Sequence, residues 1–308
     1  MTTNAIQSSH IYSTYFAPRG RSRIYTLGTQ IAQLYLSPFD QIIGFIGEAG
    51  SGKSVLIKGM FPGIELTNDD DGVNVRPLPL LEQEYETGFF TPHTYHLDIR
   101  FETGFHQLSE LADAVRLAVR RGKRIIIEHF DLIYPLLGVN ANLLIGVGEQ
   151  IVITRPNLFG PLPQELCDIV YPSLAYRLMA HSAEDLCEYA MTQEQMLACS
   201  HGDIRHGFVL EFNEHQPDID IPTLEARVNE LIRQDLPIDY YDESHILLGG
   251  AQHYCTGPRT HVRSTGRIIG FRLLDHFIYD HFHKTYMLVG CVGDDSEENI
   301  RKLETIHG

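Results

Sequence analysis

One stretch, Gln41 to Ser54, constrains the fold of this chain more than any other. It begins with a short apolar run, Ile42 to Ile46, whose length and branched side chains are typical of a buried strand. Eight residues follow that match the phosphate-loop pattern G-x-x-x-x-G-K-[ST]: Gly47, Glu48, Ala49, Gly50, Ser51, Gly52, Lys53 and Ser54. Glycines let the backbone curl so that successive N–H groups point at one phosphate. We therefore expect a strand, a phosphate-binding loop and a helix, in that order.

The last two residues of this loop predict a nucleotide site with Mg²⁺. Lys53 is expected to reach the β- and γ-phosphates, and the Ser54 hydroxyl is expected to hold Mg²⁺. A helix that starts near Lys53 would add its positive end to the phosphate site. The pattern predicts a nucleoside triphosphate as ligand, with ATP as our first expectation, and does not distinguish ATP from GTP.

Two acidic stretches offer carboxylates to the same site. Residues 123–131 are typical of an apolar strand that meets acid at its end, and we favour Glu128 there, over Asp131, as a ligand that organises Mg²⁺. Asp69 and Asp70 lie in an acidic turn after a short predicted strand, Ile64 to Thr67, where either can serve as the base for a substrate hydroxyl or as a Mg²⁺ partner. An acidic turn without a catalytic role explains the two aspartates equally well.

Strand and helix patterns alternate through the first half of the chain. Residues 105–122 have helical spacing, and the apolar runs at 143–147 and 150–154 are typical of strands. Residues 96–102 are expected to form an alternating strand in a hairpin or lid, whereas residues 24–36 fit either a hairpin or the start of a helix. The alternation predicts an α/β fold with a mainly parallel sheet and covering helices over residues 1–175.

These features resemble the uridine kinase and phosphoribulokinase branch of the phosphate-loop kinases. The resemblance rests on GEAGSGKS, on the acidic turn at Asp69 and Asp70, and on RGKRIIIEHFDL, where that family has an apolar strand ending in glutamate. It implies a phosphate-loop NTPase fold and kinase-like chemistry with ATP and Mg²⁺. The aromatic substrate signature that the family carries after its second-strand aspartate is missing, so the small-molecule acceptor stays open.

The second half of the chain resembles another family, the second additional domain of threonyl- and alanyl-tRNA synthetases, which removes mischarged amino acids. Four pieces in the family's order carry this resemblance: HSAED at 181–185, RHGFVLEF at 205–212, IPTLEARVNELIRQDLPI at 221–238 and CTGPRTHVRSTGRI at 255–268. The resemblance implies an α+β editing-like module over residues 176–308. Such a module would hold an amino-acid-like or aminoacyl substrate.

The same resemblance implies a metal site with altered ligands. In the family, two histidines one helical turn apart join a cysteine and a final histidine around the metal. Here Asp185 takes the second helix position after His181, and five residues separate Cys255 from His261. Aspartate is an accepted zinc ligand, so these four residues predict a Zn²⁺ site, with a degenerate site as the alternative. Other histidines offer replacement ligands without a spacing that selects among them: His201, His206, His253, His276, His281 and His283.

Composition limits the partners. The 308 residues carry a net charge of −16 with no basic stripe, which disfavours strong binding to a nucleic-acid backbone and therefore tRNA as a partner. Arg19, Arg21 and Arg23 form one local basic cluster, suited either to an anionic ligand or to a solvated loop. Five cysteines, an odd number, predict reduced thiols in the cytoplasm, and no apolar run reaches membrane-spanning length. The oligomeric state does not follow from the sequence.

Three functions are consistent with these patterns. The first is a kinase-like enzyme that binds ATP and Mg²⁺ and transfers or releases phosphate, with Lys53, Asp69, Asp70 and Glu128 as catalytic residues. The second is a zinc-dependent hydrolase that clears mischarged tRNA. The third is a non-catalytic switch driven by nucleotide binding.

Overall fold

The computed structural model describes residues 12–66, 93–213 and 215–307. These residues form two compact units. The first comprises the described residues up to 17 and from 21 to 172, and the second comprises 18–20 and the described residues from 173 onward. The predicted aspartates Asp69 and Asp70 lie outside the described residues.

The first unit is α/β and contains a mixed sheet. Within the described residues the sheet has six strands: β1 (Ser13–Phe16), β2 (Ile42–Ile46), β3 (Thr94–Asp98), β4 (Arg124–Glu128), β5 (Leu143–Val147) and β6 (Gln150–Thr154). Their order is β1-β6-β5-β2-β4-β3. Strand β2 pairs in parallel with both β4 and β5, and β4 pairs in parallel with β3. The carboxyl ends of these four strands therefore meet at one edge of the sheet.

Helices cover both faces of this sheet. They are α1 (Arg21–Tyr35), α2 (Lys53–Met60), α3 (Ile99–Glu102), α4 (Leu108–Arg120), α5 (Phe130–Leu137) and the beginning of α6 (Pro163–Ala190). One core cluster joins α4, α5 and α6 to side chains such as Ile125 and Ile127, and a second joins α1 and α2 to Ile126 and Phe45. Alternate residues of β4 thus point to opposite faces, as a strand buried on both sides requires.

Two glycines set how closely α2 approaches α1. A Cβ atom added to Gly28 of α1 would lie 2.5 Å from the carbonyl oxygen of Leu56, and one added to Gly59 of α2 would lie 2.2 Å from that of Tyr25. Only glycine leaves room for this contact. The close packing fixes the helix that begins at Lys53 against the rest of the unit.

Several predicted elements differ from the structure. Residues 64–66 lie outside any strand, so that part of the predicted strand Ile64 to Thr67 is wrong, and Thr67 lies outside the described residues. The predicted strand at 96–102 ends at Asp98, because the Asp98 side chain accepts a hydrogen bond from the Phe101 N–H and caps α3. Residues 24–35 belong to α1, so of the two interpretations for residues 24–36 the helix is confirmed and the hairpin is wrong.

The sheet is also less parallel than predicted. Strand β6 runs antiparallel to β5, and β1 runs antiparallel to β6. Two residues, Gly148 and Glu149, separate β5 from β6. So short a connection permits only a hairpin, since parallel neighbours need a crossover of a dozen or more residues.

The second unit is built from antiparallel strands and helices. Its strands are β7 (Cys199–Ile204), β8 (Gly207–Asn213), β9 (Ile238–Asp242), β10 (His245–Leu248), β11 (Ala251–Tyr254), β12 (Arg272–Leu273), β13 (Ile278–Asp280) and β14 (Thr285–Cys291). One sheet has the strand order β12-β14-β8-β7, with β13 also paired to β14, and the other sheet has the order β11-β10-β9. The helices of this unit are the end of α6, α7 (Gln193–Ala198), α8 (Ile221–Arg233) and α9 (Ser296–His307). The apolar stripe of α8, including Leu224 and Val228, lies in the core as predicted.

Arg19 belongs to the second unit and is buried there. Its guanidinium lies 3.0 Å from the Glu184 carboxylate and 3.1 Å from that of Asp203, and it donates to the Gly202 carbonyl at 2.7 Å. A buried guanidinium that pairs with two carboxylates is a structural ion pair. Arg19 therefore fits neither of the two roles that its basic cluster suggested.

Among the helices of the described residues, none combines the length and the apolar character that a membrane span requires. All five cysteines are free thiols.

Candidate functional site

The phosphate-loop sequence forms a tight turn at the carboxyl end of β2, whose five residues are all buried. Gly47 packs so closely that a Cβ atom there would lie 2.5 Å from the Val147 carbonyl oxygen. Gly50 and Gly52 have φ angles of 78° and 89°, in the left-handed region that favours glycine. The three glycines are therefore needed for the shape of the loop.

Lys53 and Ser54 begin helix α2 beside this turn. The Lys53 ammonium group is buried and donates to the carbonyl oxygens of Gly47 at 2.9 Å and Glu48 at 3.0 Å. It lies 3.7 Å from Glu128 Oε2, and the Ser54 hydroxyl donates to Glu128 Oε1 at 3.2 Å. Burial lowers the pKa of Lys53, with the Glu128 charge opposing it. The structure thus brings three of the predicted residues together, on two different elements.

Glu128 reaches this point because of the register of the sheet. It is the last residue of β4 and pairs with Phe45 of β2, two residues before the loop. Burial opposes its ionisation, but a 3.1 Å hydrogen bond from His96 Nε2 and the charge of Lys53 outweigh burial and lower its pKa to about 2. Glu128 is therefore an ionised carboxylate, as a Mg²⁺ ligand must be.

Three residues of this region were not predicted. His96 and Asp98 lie on β3, which borders β4, and His129 follows Glu128 with a left-handed φ of 56°. Donor atoms of Asp98, Glu128 and His129 lie within 4.8 Å of one another. Burial and the charges of Lys53 and Arg100 lower the pKa of His129 to about 4, so its imidazole is neutral. The signal for Asp98 and His129 was their position at the ends of strands, which becomes specific only once the strand order is known. His96 lies in the middle of β3 and had no such signal.

The pKa of Glu128 leads to a prediction about acid stability. Its folded value of about 2 lies below the ordinary 4.5, so the ionised carboxylate stabilises the fold above pH 4.5, and this contribution is lost as the pH falls towards 2. The shift corresponds to about 3 kcal/mol. We expect the difference in unfolding free energy between wild type and Glu128→Gln to shrink over this pH range, measured by urea denaturation. A difference that does not change with pH would contradict the assignment.

The second candidate site lies in the second unit and contains the four predicted zinc ligands. His181 and Asp185 lie one turn apart on α6, Cys255 directly follows β11, and His261 lies in the loop beyond. Cys255 Sγ is 3.5 Å from His181 Nε2 and 3.2 Å from His261 Nε2. Asp185 oxygens are 3.7 Å from His181 Nε2 and 3.5 Å from His261 Nε2. Donor atoms of a tetrahedral zinc ion are separated by about 3.3–3.6 Å, so the set has the size of a zinc site.

The hydrogen bonds of the two histidines leave their Nε2 atoms without protons. His181 Nδ1 lies 3.0 Å from the Thr260 carbonyl, which only accepts, so Nδ1 carries the proton. His261 Nδ1 lies 3.2 Å from the Ser182 hydroxyl, which itself donates to the Leu178 carbonyl at 2.9 Å and must therefore accept from His261. Both Nε2 lone pairs point at the other two donors, an orientation typical of metal-binding histidines.

The burial of the donor atoms in this cluster also favours a bound cation. Asp185 Oδ2 is buried without a hydrogen-bond partner, and Cys255 Sγ accepts the Gly257 N–H at 3.2 Å. Burial lowers the pKa of His181 and brings that of His261 to about 3, and it raises the pKa of Asp185 and of Cys255. Without a metal, these pKa directions keep a proton on the Asp185 carboxyl and on the Cys255 thiol, whereas a divalent cation would displace both protons and pair with all four donor atoms. The residues present fit zinc.

Ser182 is a positioning residue for this site that the sequence did not reveal. Its hydroxyl fixes the His261 ring and also accepts the Val262 N–H at 3.1 Å. We expect Ser182→Ala to weaken zinc affinity by about 10–100-fold, because the orienting partner of a ligand is lost. Competition with a chromophoric chelator measures this. Unchanged affinity would show that Ser182 does not orient His261.

No protein-family model matches the chain, and no curated protein matches it. The sites therefore stand on their own residues.

Proposed function

We propose that the first unit binds a nucleoside triphosphate with Mg²⁺ and catalyses phosphoryl transfer or hydrolysis. One observation carries this proposal: Lys53, Ser54 and Glu128 converge beside a glycine turn at the carboxyl edge of the parallel strands. Ligands of open α/β sheets bind at that edge. Backbone N–H groups of the turn and the start of α2 suit a phosphate chain.

Each residue has a role in this proposal. Lys53 would exchange its bonds to the Gly47 and Glu48 carbonyls for phosphate oxygens. Ser54 and Glu128 would hold Mg²⁺, which neutralises charge on the phosphates. His96 keeps Glu128 oriented and ionised. Asp69 and Asp70 stay the proposed bases for a substrate hydroxyl.

The direct test is calorimetric titration with Mg²⁺ and ATP or GTP, combined with a phosphate-release assay. The proposal predicts saturable heat that needs Mg²⁺, together with loss of the triphosphate. Binding without turnover would favour the non-catalytic switch instead. If neither nucleotide gives heat, the proposal is wrong.

The four-donor cluster favours a second candidate function for the second unit. We propose that this unit holds an amino-acid-like or aminoacyl group, as the tRNA synthetase editing domains that it resembles do. The four protein donors would together fill the coordination shell of a zinc ion, which is typical of structural zinc, whereas catalytic zinc keeps an open position. Hydrolysis of mischarged tRNA would require a ligand to leave, with Asp185 the least conventional of the four. Deacylation assays with mischarged tRNA decide between holding and hydrolysis.

A further inference from the structure

A second cluster of metal-binding side chains lies next to the four-donor site, within the same unit. Helix α6 carries Glu188 three residues beyond Asp185, about 4.5 Å further along the helix axis. Strand β7 presents Cys199 and His201, two residues apart and therefore on one face of the strand, towards Glu188. One donor atom from each of these three residues lies within 4.8 Å of the other two.

A fourth side chain is aimed into this cluster. His253 of β11 has 8% of its side chain exposed, and its Nε2 atom is buried without a hydrogen-bond partner. That atom lies 4.0 Å from Glu188 Oε2. A buried imidazole nitrogen that faces a carboxylate without a hydrogen bond is costly unless a further group lies between the two.

We propose that Glu188, Cys199 and His201, with His253 as the fourth donor, bind a second divalent cation of the zinc class. One oxygen, one sulfur and two imidazole nitrogens are a ligand set typical of zinc, and calcium and magnesium select oxygen ligands instead. The chain would then bind two such ions. The inference rests on the geometry of these donors and does not depend on the nucleotide site.

The distances require only side-chain adjustment. Cys199 Sγ lies 3.8 Å from Glu188 Oε1, and His253 Nε2 lies 4.0 Å from Glu188 Oε2. Both distances are slightly longer than the spacing of about 3.3–3.6 Å between donor atoms around a tetrahedral ion. His201 Nε2 contacts Glu188 Oε1 directly and has to move away to admit the ion. Its side chain is 30% exposed, which gives it room to move and gives the ion an entry path.

The test counts metal ions in the full chain. Zinc-loaded protein, desalted and measured by plasma mass spectrometry, should contain two zinc ions per chain. Cys199→Ser and His201→Ala should each contain one, and His181→Ala should also contain one because it affects the other site. His283→Ala is the matched control: it removes an exposed histidine that pairs with a carboxylate, Asp280, and it should keep both ions.

Cobalt substitution gives an independent readout. Each thiolate bound to Co²⁺ gives a charge-transfer band, so the absorbance of wild type should be the sum of the bands from Cys255 and Cys199. Cys199→Ser should lose about half of the absorbance per chain. The proposal would be overturned if wild type contained one zinc ion, if Cys199→Ser and His201→Ala both retained it, and if the cobalt absorbance did not change. His201 and Glu188 would then form an ordinary ion pair.

Discussion

Replacing Lys53 with alanine should lower the affinity for Mg²⁺·ATP by on the order of 100-fold or more. The Lys53 ammonium is the cation nearest the loop carbonyls, and each hydrogen bond to a charged group contributes about 1.5–3 kcal/mol. Phosphate oxygens would lose both this charge and its hydrogen bonds. Calorimetric titration of wild type and variant measures the change.

Lys58→Ala is the matched control for Lys53→Ala. Lys58 is the same residue type in the last turn of the same helix, away from the loop. We expect its affinity for Mg²⁺·ATP to stay at the wild-type value. Circular dichroism should show that both variants are folded, because Lys53→Ala removes a partner of the buried Glu128 carboxylate. Equal affinities for the two variants would remove Lys53 from the site.

Removing zinc from the four-donor site should destabilise the second unit by several kcal/mol, as loss of structural zinc does. The donors are buried and include an aspartate oxygen without a hydrogen-bond partner, so loss of the ion would leave buried polar groups that are poorly paired. We expect a chelator to lower the melting temperature of wild-type protein. His181→Ala should melt near the temperature of the chelated wild type.

The chelator also separates loss of metal from loss of packing. If zinc accounts for the stability, the chelator should have little further effect on His181→Ala. The matched variant His276→Ala, which removes an exposed histidine paired with Asp275, should respond to the chelator as wild type does. A melting temperature that the chelator does not change in wild type would show that the cluster is degenerate.

Part of this account follows from the sequence because the signals are local. The phosphate-loop pattern covers eight contiguous residues, and the α/β alternation of the first unit is visible in its apolar runs. Glu128 could be found because it ends such a run. The antiparallel direction of β6 also had a local signal, the two-residue connection at Gly148 and Glu149, which the prediction of a mainly parallel sheet did not use.

Other parts depend on long-range contacts that no local pattern reveals. His96 supports Glu128 only because β3 pairs with β4, a relation between residues 32 positions apart. Ser182 acts on His261 across 79 positions, and its role also needs the Leu178 carbonyl to take the hydroxyl proton. Arg19 and its two chain neighbours, Pro18 and Gly20, join a unit whose remaining residues begin at 173. Such roles are set by packing, which periodicity and spacing do not encode.

The most direct test of the nucleotide site is a crystal structure of the chain with Mg²⁺ and a non-hydrolysable ATP analogue. We predict that the β-phosphate lies in the turn from Gly47 to Gly52, with Lys53 Nζ on phosphate oxygens and Mg²⁺ between Ser54 and Glu128. An analogue bound elsewhere, with Lys53 still donating to the carbonyls of Gly47 and Glu48, would contradict the proposed function.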